Sequence, residues 1–521
     1  MKMKMKKLVI AAAILMALAD LSAAQKVLVD MLDGARADVL EADNHPVWQA
    51  LKENRWADGY KTAWSLTGGN EPFVLPASAP NHAVIATGKL AKHHKVMNNK
   101  EVFYKAFSHG ATPTWQERIG RKFPDIRIVQ AFSWTPDMMF MPESGIVSIV
   151  CGPDGTNNQV LVKMLARKNA PSVLMVFDDA PDHAGHKHGY YPYSKQYLSK
   201  VRAAMQRFSN LLAAIKAQPT FAEDDWLIVL CSDHGGVGKV HYTASPQSYT
   251  VPLLYCGKHI PAGEIAGKPN NLGIAANVLR HFGLDAEVAE LDDSGVISAA
   301  PVAEPRPATE GMLYDLVVNG GKIVNRATGG GVTPHGTLTV DANSFRTGKD
   351  GYLTLDGLKE FSGDAFTFAI TLKCDLSQVK SDPVIFANKN WQKGSNPGLA
   401  LVAKKESLVF NSACKNAPPD YLVRRGNRID LVDIVVGRGN NLVAVSIAPE
   451  GFVTVFQKTA EGSEYWFRVK VAGLLAKSGF DWNIGQDGTG KYKHHADFEV
   501  KNFRFWNRGL SLDELRKLKQ E

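Results

Sequence analysis

Four short motifs follow one another in the first half of the chain: Asp33-Gly34-Ala35-Arg36, Ser78-Ala79-Pro80-Asn81-His82, Asp182-His183-Ala184-Gly185-His186 and Ser232-Asp233-His234-Gly235. His241 comes shortly after. They offer three aspartates (Asp33, Asp182, Asp233), three histidines (His186, His234, His241) and the hydroxyl of Ser78. Zinc takes nitrogen and oxygen ligands of these kinds, and catalytic zinc keeps one position open for water or substrate. Two such ions about 4 Å apart can clamp the attacking and leaving oxygens of an in-line displacement at phosphorus. The residues therefore imply metal-assisted phosphoryl chemistry.

Each motif alone has a plainer reading. Asp33-Gly34 can be an ordinary turn, His241 a surface residue and Ser78 a helix cap. Asp182 and His186 share one face if the segment is helical, since residues four apart on a helix are neighbours. A serine hydroxyl is a weak nucleophile at neutral pH, and a divalent cation stabilises its alkoxide. Pro80 suits the first turn of a helix carrying Ala83-Val84-Ile85-Ala86. Ser78 then falls at a helix N-terminus, where free N–H groups favour an anion.

The elements that must position these groups are legible. Val27-Leu28-Val29, Ile126 to Val129, Val173 to Phe177, Leu227 to Leu230 and Val251 to Tyr255 read as buried strands. Leu198, Val201, Met205, Phe208, Leu212 and Ile215 recur at helical spacing before Pro219. Strands alternating with helices predict an α/β fold, a doubly wound, mostly parallel sheet. Ligands of such folds bind beyond the carboxyl ends of the strands, and Asp33, Asp182 and Asp233 each follow a strand by a few residues. This domain is expected over residues 25–298, a Pro/Ala-rich linker over 299–310, and a second domain over 311–521. The second domain has short strand-like runs (366–372, 399–402, 442–447, 452–456, 503–506) between Gly, Asn and Asp turns. It has helical periodicity only at 512–518. That texture predicts an all-β sandwich.

At 521 residues, two or three domains are expected. Four lysines and a free methionine start precede an apolar stretch from Leu8 to Ala19 and a small-residue site at Ser22-Ala23-Ala24. This predicts a signal peptide over residues 1–24, cleaved near Ala24, and a secreted or periplasmic protein without a transmembrane segment. The formal charge of +8 falls to +5 when the four lysines and Asp20 of that segment leave. Such a surplus attracts anions but does not indicate stable nucleic-acid binding. Five cysteines without a CxxC pair argue against a sulfur-ligated metal. Cys231 and Cys256 are expected as buried thiols, and pairing of Cys374 with Cys414 is left open.

Taken together, residues 26–290 resemble the alkaline phosphatase superfamily, nearest its nucleotide pyrophosphatase/type I phosphodiesterase branch. The resemblance rests on the strand ending in Asp-Gly, the serine before Pro-Asn-His, the Asp-x-x-x-His pair and Ser-Asp-His-Gly. It implies that Asp33, Ser78, Asp233 and His234 hold one Zn²⁺, and Asp182, His186 and His241 a second. It also implies that Asn99 donates to a phosphoryl oxygen and that Ser78 attacks phosphorus through a phosphoryl-enzyme intermediate. Three departures matter. Ser78 stands where the diesterase branch often has threonine, which leaves diester and monoester substrates both open. His241 lacks the family's Gly-His-Gly-Gly setting, being flanked by Val240 and Tyr242, with His259 a distant second choice. His82 stands where sulfatases need arginine, so their aldehyde-forming modification is not expected. Gly238-Lys239 lacks the remaining residues of a P-loop.

The second domain resembles laminin-G/concanavalin A-like jelly rolls in Asp382 to Ile385, Asn388 to Trp391, Gly485 to Gly490 and the closing Phe503 to Ser511 with Glu514. That implies a carbohydrate or a Ca²⁺ as ligand, or a domain that only docks on the first. The expected substrate is a small phosphorylated molecule, a nucleotide or a phosphorylated glycan. A phosphomonoesterase, a phosphoryl transferase and a catalytically inactive glycan-binding surface protein are the other readings. Tyr190, Tyr191 and Trp134 are candidates for the site entrance or for plain packing. The pairs His93-His94 and His494-His495 are expected on the surface.

Overall fold

The computed structural model describes residues 24–66, 68–69, 74–100, 112–242, 246–267, 269–300, 306–405, 407–414, 428–434, 436, 439–449, 451–471 and 473–520. The expected signal peptide lies outside these apart from Ala24, as do residues 301–305 of the expected linker. Among the described residues no helix is long and apolar enough to cross a membrane.

The first strand, β1 (Gln25–Leu32), is buried from Lys26 onward. Val27, Val29 and Met31 pack into one apolar cluster, and Leu28 and Leu32 into another on the opposite face. A strand buried on both faces reads as a continuous apolar run and requires cover on both sides. The remaining strands are β2 (Lys61–Ser65), β3 (Arg127–Phe132), β4 (Ile146–Cys151), β5 (Val173–Asp178), β6 (Asp225–Cys231), β7 (Leu253–Gly257) and β8 (Gly263–Glu264). They form one sheet in the order β4-β3-β5-β1-β6-β7-β2-β8. The five strands from β4 to β6 run parallel, and β7 is antiparallel to both β6 and β2. The fold is the doubly wound, mostly parallel α/β sheet read from the sequence. β2 and β4 carried no clear strand signal because Lys61-Thr-Ala-Trp-Ser is half polar and β4 is a half-exposed edge.

Register delivers the functional loops to one place. Leu32 pairs with Asp178 of β5, and Met31 pairs with Cys231 of β6. Asp33, the Asp179–Asp182 turn and Ser232-Asp233 therefore leave the sheet side by side. Ser194 caps the helix Lys195–Lys216 by accepting from the Tyr197 N–H. That helix buries Val201, Met205, Phe208, Leu212 and Ile215 against one sheet face. It also carries Arg207, which grips Asp178 through Nε–Oδ2 and Nη2–Oδ1 contacts of 2.5 Å each. Burial pushes the Asp30 carboxyl on the same face up to about 7, against the pull of Arg207.

Residues 312–506 form two antiparallel sheets, one of nine strands and one of seven. In Phe366–Lys373 the alternate residues Phe366, Phe368, Ile370 and Leu372 enter the core between the sheets. Phe368 meets Phe386 of the facing sheet at 4.7 Å between ring centroids. The five cysteines are all free thiols, and only Cys151 is exposed.

The outer face of the nine-stranded sheet is apolar too. Ala369, Leu442, Ala444, Phe456, Trp466 and Trp506 join the cluster that contains Leu40 and Trp48 of the N-terminal domain. In Glu464–Lys470, Phe467 and Val469 point into the sandwich, so Trp466 and Arg468 face outward by the period of two. Arg468 pairs with Glu264 at 3.0 Å, and its carbonyl accepts from Thr250 Oγ1 at 2.9 Å. The sandwich is thus packed against the first domain through a buried face. We expect Trp466→Ala to cost about 3–5 kcal/mol, seen as a lower urea midpoint for unfolding of the whole chain. A midpoint unchanged within error would show that this face carries no stability.

Candidate metal centre

The Asp-Gly motif is shaped by contact. Gly34 has φ +71°, and a Cβ there would stand 2.8 Å from the Asp182 Cα, so only glycine fits. Its N–H donates to Asp233 Oδ1 at 3.1 Å, the next N–H donates to Ser232 Oγ at 3.0 Å, and the Asp33 N–H donates to the Asp178 carbonyl at 2.8 Å. The loops after β1, β5 and β6 are therefore stitched together by backbone groups.

Ser78 is the first residue of the buried helix Ser78–Thr87, and Ala77 occupies the cap position. Ser78 is thus no capping residue; its Oγ lies 3.3 Å from His234 Nε2. Pro80 costs nothing, because the first N–H groups of a helix have no partner within it. Asn81 pins the approach by donating to the carbonyls of Leu75 and Ala77, at 2.8 Å each. Asn99 Oδ1 accepts the Ala79 N–H at 3.0 Å, which brings its amide beside Ser78.

Asp182 and His186 share one face of the helix Ala180–His188, with Nε2 3.5 Å from Oδ2. Asp154 Oδ2 accepts the Ala180 N–H at 2.9 Å and fixes the helix start. Tyr190 donates to Asp182 Oδ1, and its ring is wedged where a Cβ on Gly185 or Gly236 would stand, at 2.2 and 2.5 Å. Burial, then Asp182, hold the Tyr190 phenol far above its ordinary range, so it remains a donor. Tyr190 is fully buried and cannot line an entrance. Trp134 is half-buried with its ring edge-on to His82, and Tyr191 stacks on Tyr193. Of the paired histidines His93 is exposed but His94 is buried. His259 is exposed and pairs with Asp225, away from the cluster.

The seven expected ligands converge. Ligand atoms of Asp182, His186 and His241 lie within 4.8 Å of one another, and so do those of Asp33, Asp182 and His234. His234 Nε2 is 3.2 Å from Asp233 Oδ2 and 3.5 Å from Asp33 Oδ1, and the His234 and His241 rings stack at 3.7 Å. Each imidazole is oriented from behind. The Nδ1 of His186, His234 and His241 faces the carbonyls of Lys239, Gly235 and Pro76 at 3.0, 2.9 and 2.6 Å. A carbonyl can only accept, so each Nδ1 carries a proton and Nε2 is the nitrogen turned to the carboxylates, an arrangement typical of metal-ligating histidine. Burial, reinforced by His234, pushes the His241 imidazolium down to about 2 and keeps that ring neutral.

Carboxylates facing each other out of water repel. Asp33 Oδ1 and Asp233 Oδ2 are sealed from solvent with no hydrogen-bond partner. Burial, then Asp233 and Asp182, raise the Asp33 carboxyl well above its usual range. Burial opposes ionisation of Asp233 as well, yet His234 and His82 carry it below the usual range. Orphaned oxygens and imidazole nitrogens oriented from behind make an N/O donor set that fits divalent cations of the zinc kind. The sandwich contributes no cluster of three such ligands among the described residues, which leaves the Ca²⁺ expectation without support.

One participant was missed. His82 Nε2 faces Asp33 Oδ2 and Asp233 Oδ2 at 3.3 Å each, and its Nδ1 contacts Asp137 Oδ1 at 2.7 Å. Burial would lower its pKa, but Asp137 and the two site aspartates raise it well above the ordinary value. Its spacing of four from Ser78 was a usable signal, because both then project from one helix face.

Residues 27–244 match the family model described as type I phosphodiesterase / nucleotide pyrophosphatase. No curated protein matches the chain. Among solved structures it is similar to murine ectonucleotide pyrophosphatase / phosphodiesterase 5, at 20% identity over 40% of this chain and 57% of that one, with a TM-score of 0.31. The inactive form of that protein in complex with AMP matches with the same values. The botulinum neurotoxin serotype D/C binding domain matches at 13% identity over 40% of this chain and 52% of that one, with a TM-score of 0.30. The chain thus spans between half and three-fifths of the length of these structures.

Gly185→Ala would drive a methyl into the Tyr190 ring and loosen Asp182, so the metal bound per chain should fall. Gly155→Ala, with open space around the new methyl, should keep the natural protein's metal content, as read by elemental analysis of the purified proteins. Equal metal content in the two variants would remove Tyr190 from the account.

Proposed function

We propose that the chain is a secreted two-zinc phosphoesterase, a phosphodiesterase or nucleotide pyrophosphatase that uses Ser78 as nucleophile. Asp33, Asp233, His234 and Ser78 would hold one ion, and Asp182, His186 and His241 the other. When bound, the ions supply Lewis-acid stabilisation of the attacking and leaving oxygens. The observation that carries the reading is the Ser78 hydroxyl, 3.3 Å from His234 Nε2 at a buried helix N-terminus beside partnerless carboxylate oxygens.

The protein's own groups do the positioning. The helix directs Ser78 Oγ at the cluster for in-line attack at phosphorus. Asn99, its Oδ1 held by the Ala79 N–H, keeps Nδ2 to donate to a phosphoryl oxygen. His82, braced by Asp137, faces Oδ2 of both Asp33 and Asp233 and steadies their orientation. The buried walls keep bulk water from the nucleophile.

Nucleotides and phosphorylated glycans are the substrate classes proposed, with nucleotides favoured by the family's description. A phosphomonoesterase is the second reading, favoured by serine in place of threonine at position 78. The unbroken ligand set weighs against an inactive glycan-binding protein. Export rests on the N-terminal sequence pattern alone.

Ser78→Ala should lower kcat by roughly 10³-fold or more while two zinc ions remain bound; full activity in that variant would rule out the nucleophile. Removing zinc with a chelator should lower Tm by on the order of 10 °C, since a ligand at a thousand times its Kd stabilises by about 4 kcal/mol. An unshifted Tm would contradict the metal assignment. Diester and monoester substrates with one leaving group separate the two readings by their relative kcat/KM.

A further inference from the structure

The stacked pair His234 and His241 continues into a third ring. Tyr242 lies 4.1 Å from His241 between ring centroids, tilted by 43°, and 6.4 Å from His186. It is 49% exposed, whereas His241 beneath it is buried. A glycine after the histidine would leave this position open.

The ring thus packs against a buried imidazole and keeps about half of its surface open beside the cluster.

Its place relative to the reaction follows from geometry, and this step rests on the phosphoesterase reading. In-line displacement puts the attacking and leaving oxygens on opposite sides of phosphorus. Ser78 approaches from the side of Asp33, Asp233 and His234, so the leaving group departs past Asp182, His186 and His241. Tyr242 covers that exit. An exposed aromatic face beside that exit is a stacking platform, and a stacked ring contributes about 1–3 kcal/mol, a factor of roughly 5 to 150.

We propose that Tyr242 forms the wall of a leaving-group subsite selective for alcohols that carry a flat aromatic ring, aryl or nucleobase, over alkyl alcohols. Its ring supplies the selectivity, so replacing the ring and removing only the hydroxyl have separable effects.

The test is calorimetric binding of phenylphosphonate and methylphosphonate, which are not turned over, to the zinc-loaded protein. The natural protein should bind the phenyl compound about tenfold more tightly, with a nucleoside 5′-phosphonate showing whether a nucleobase is held as well as an aryl ring. Tyr242→Phe should keep most of that ratio, and Tyr242→Leu, a substitution at an exposed position, should reduce it to about twofold or less. A ratio near one in the natural protein, or an unchanged ratio in Tyr242→Leu, overturns the subsite. Failure of both phosphonates to bind the zinc-loaded protein overturns the phosphoesterase reading and the subsite with it.

Discussion

Three carboxylates drawn out of water to one sheet edge repel each other, and the rest of the N-terminal domain is arranged around that repulsion. Asp33, Asp182 and Asp233 are all buried, and the Nε2 atoms of His234 and His241 are turned toward Asp233 and Asp182 rather than away. Burying an unpaired charge costs several kcal/mol, so a chain that builds such a cluster must supply positive charge. His82 supplies part of it from inside the fold. Divalent cations would supply the remainder and, once bound, would offset the carboxylates' repulsion of a phosphate ester approaching Ser78.

The scaffold holds this unfavourable cluster by over-determining it. The paired ends of β1, β5 and β6 set the spacing of the three loops. Gly34 lets the first loop touch the Asp182 backbone, and Tyr190 wedges Asp182 from the other side. Arg207 and Asp154 hold the base of the Asp182 helix from beneath. The second domain reaches the same region indirectly. The Ser248 and Thr250 carbonyls accept the N–H groups of Gly235 and Ala37, while the Thr250 hydroxyl donates to Arg468 of the sandwich. The sandwich therefore backs the loop that follows the Ser-Asp-His-Gly motif, whatever else it binds.

Much of this was legible in the sequence because it is local. A strand buried on both faces must be apolar, and the long helix repeats its apolar residues every three or four positions. Asp182 and His186 needed only a helical turn to meet. What escaped reading depends on partners far apart in the chain. Asp137 meets His82 across 55 residues, and nothing near either announces the pair. Tyr190 has the look of a loop aromatic until Gly185 and Gly236 are seen to make room for it. His94 looks like a surface residue beside His93, yet it is buried. The backbone carbonyls that orient His186, His234 and His241 carry no sequence signal, since every residue has one. The apolar outer face of the sandwich could not be told from its inner face before the two domains were seen to share it.

The central claim is that buried carboxylates and imidazoles exist here to bind two cations astride a hydroxyl. Anomalous diffraction at the zinc absorption edge, from crystals grown with zinc, tests it most directly. The account predicts two peaks, one within bonding distance of Asp33, Asp233, His234 and Ser78, the other within bonding distance of Asp182, His186 and His241. No peak at either position, or a single peak bound only by surface residues, would contradict it.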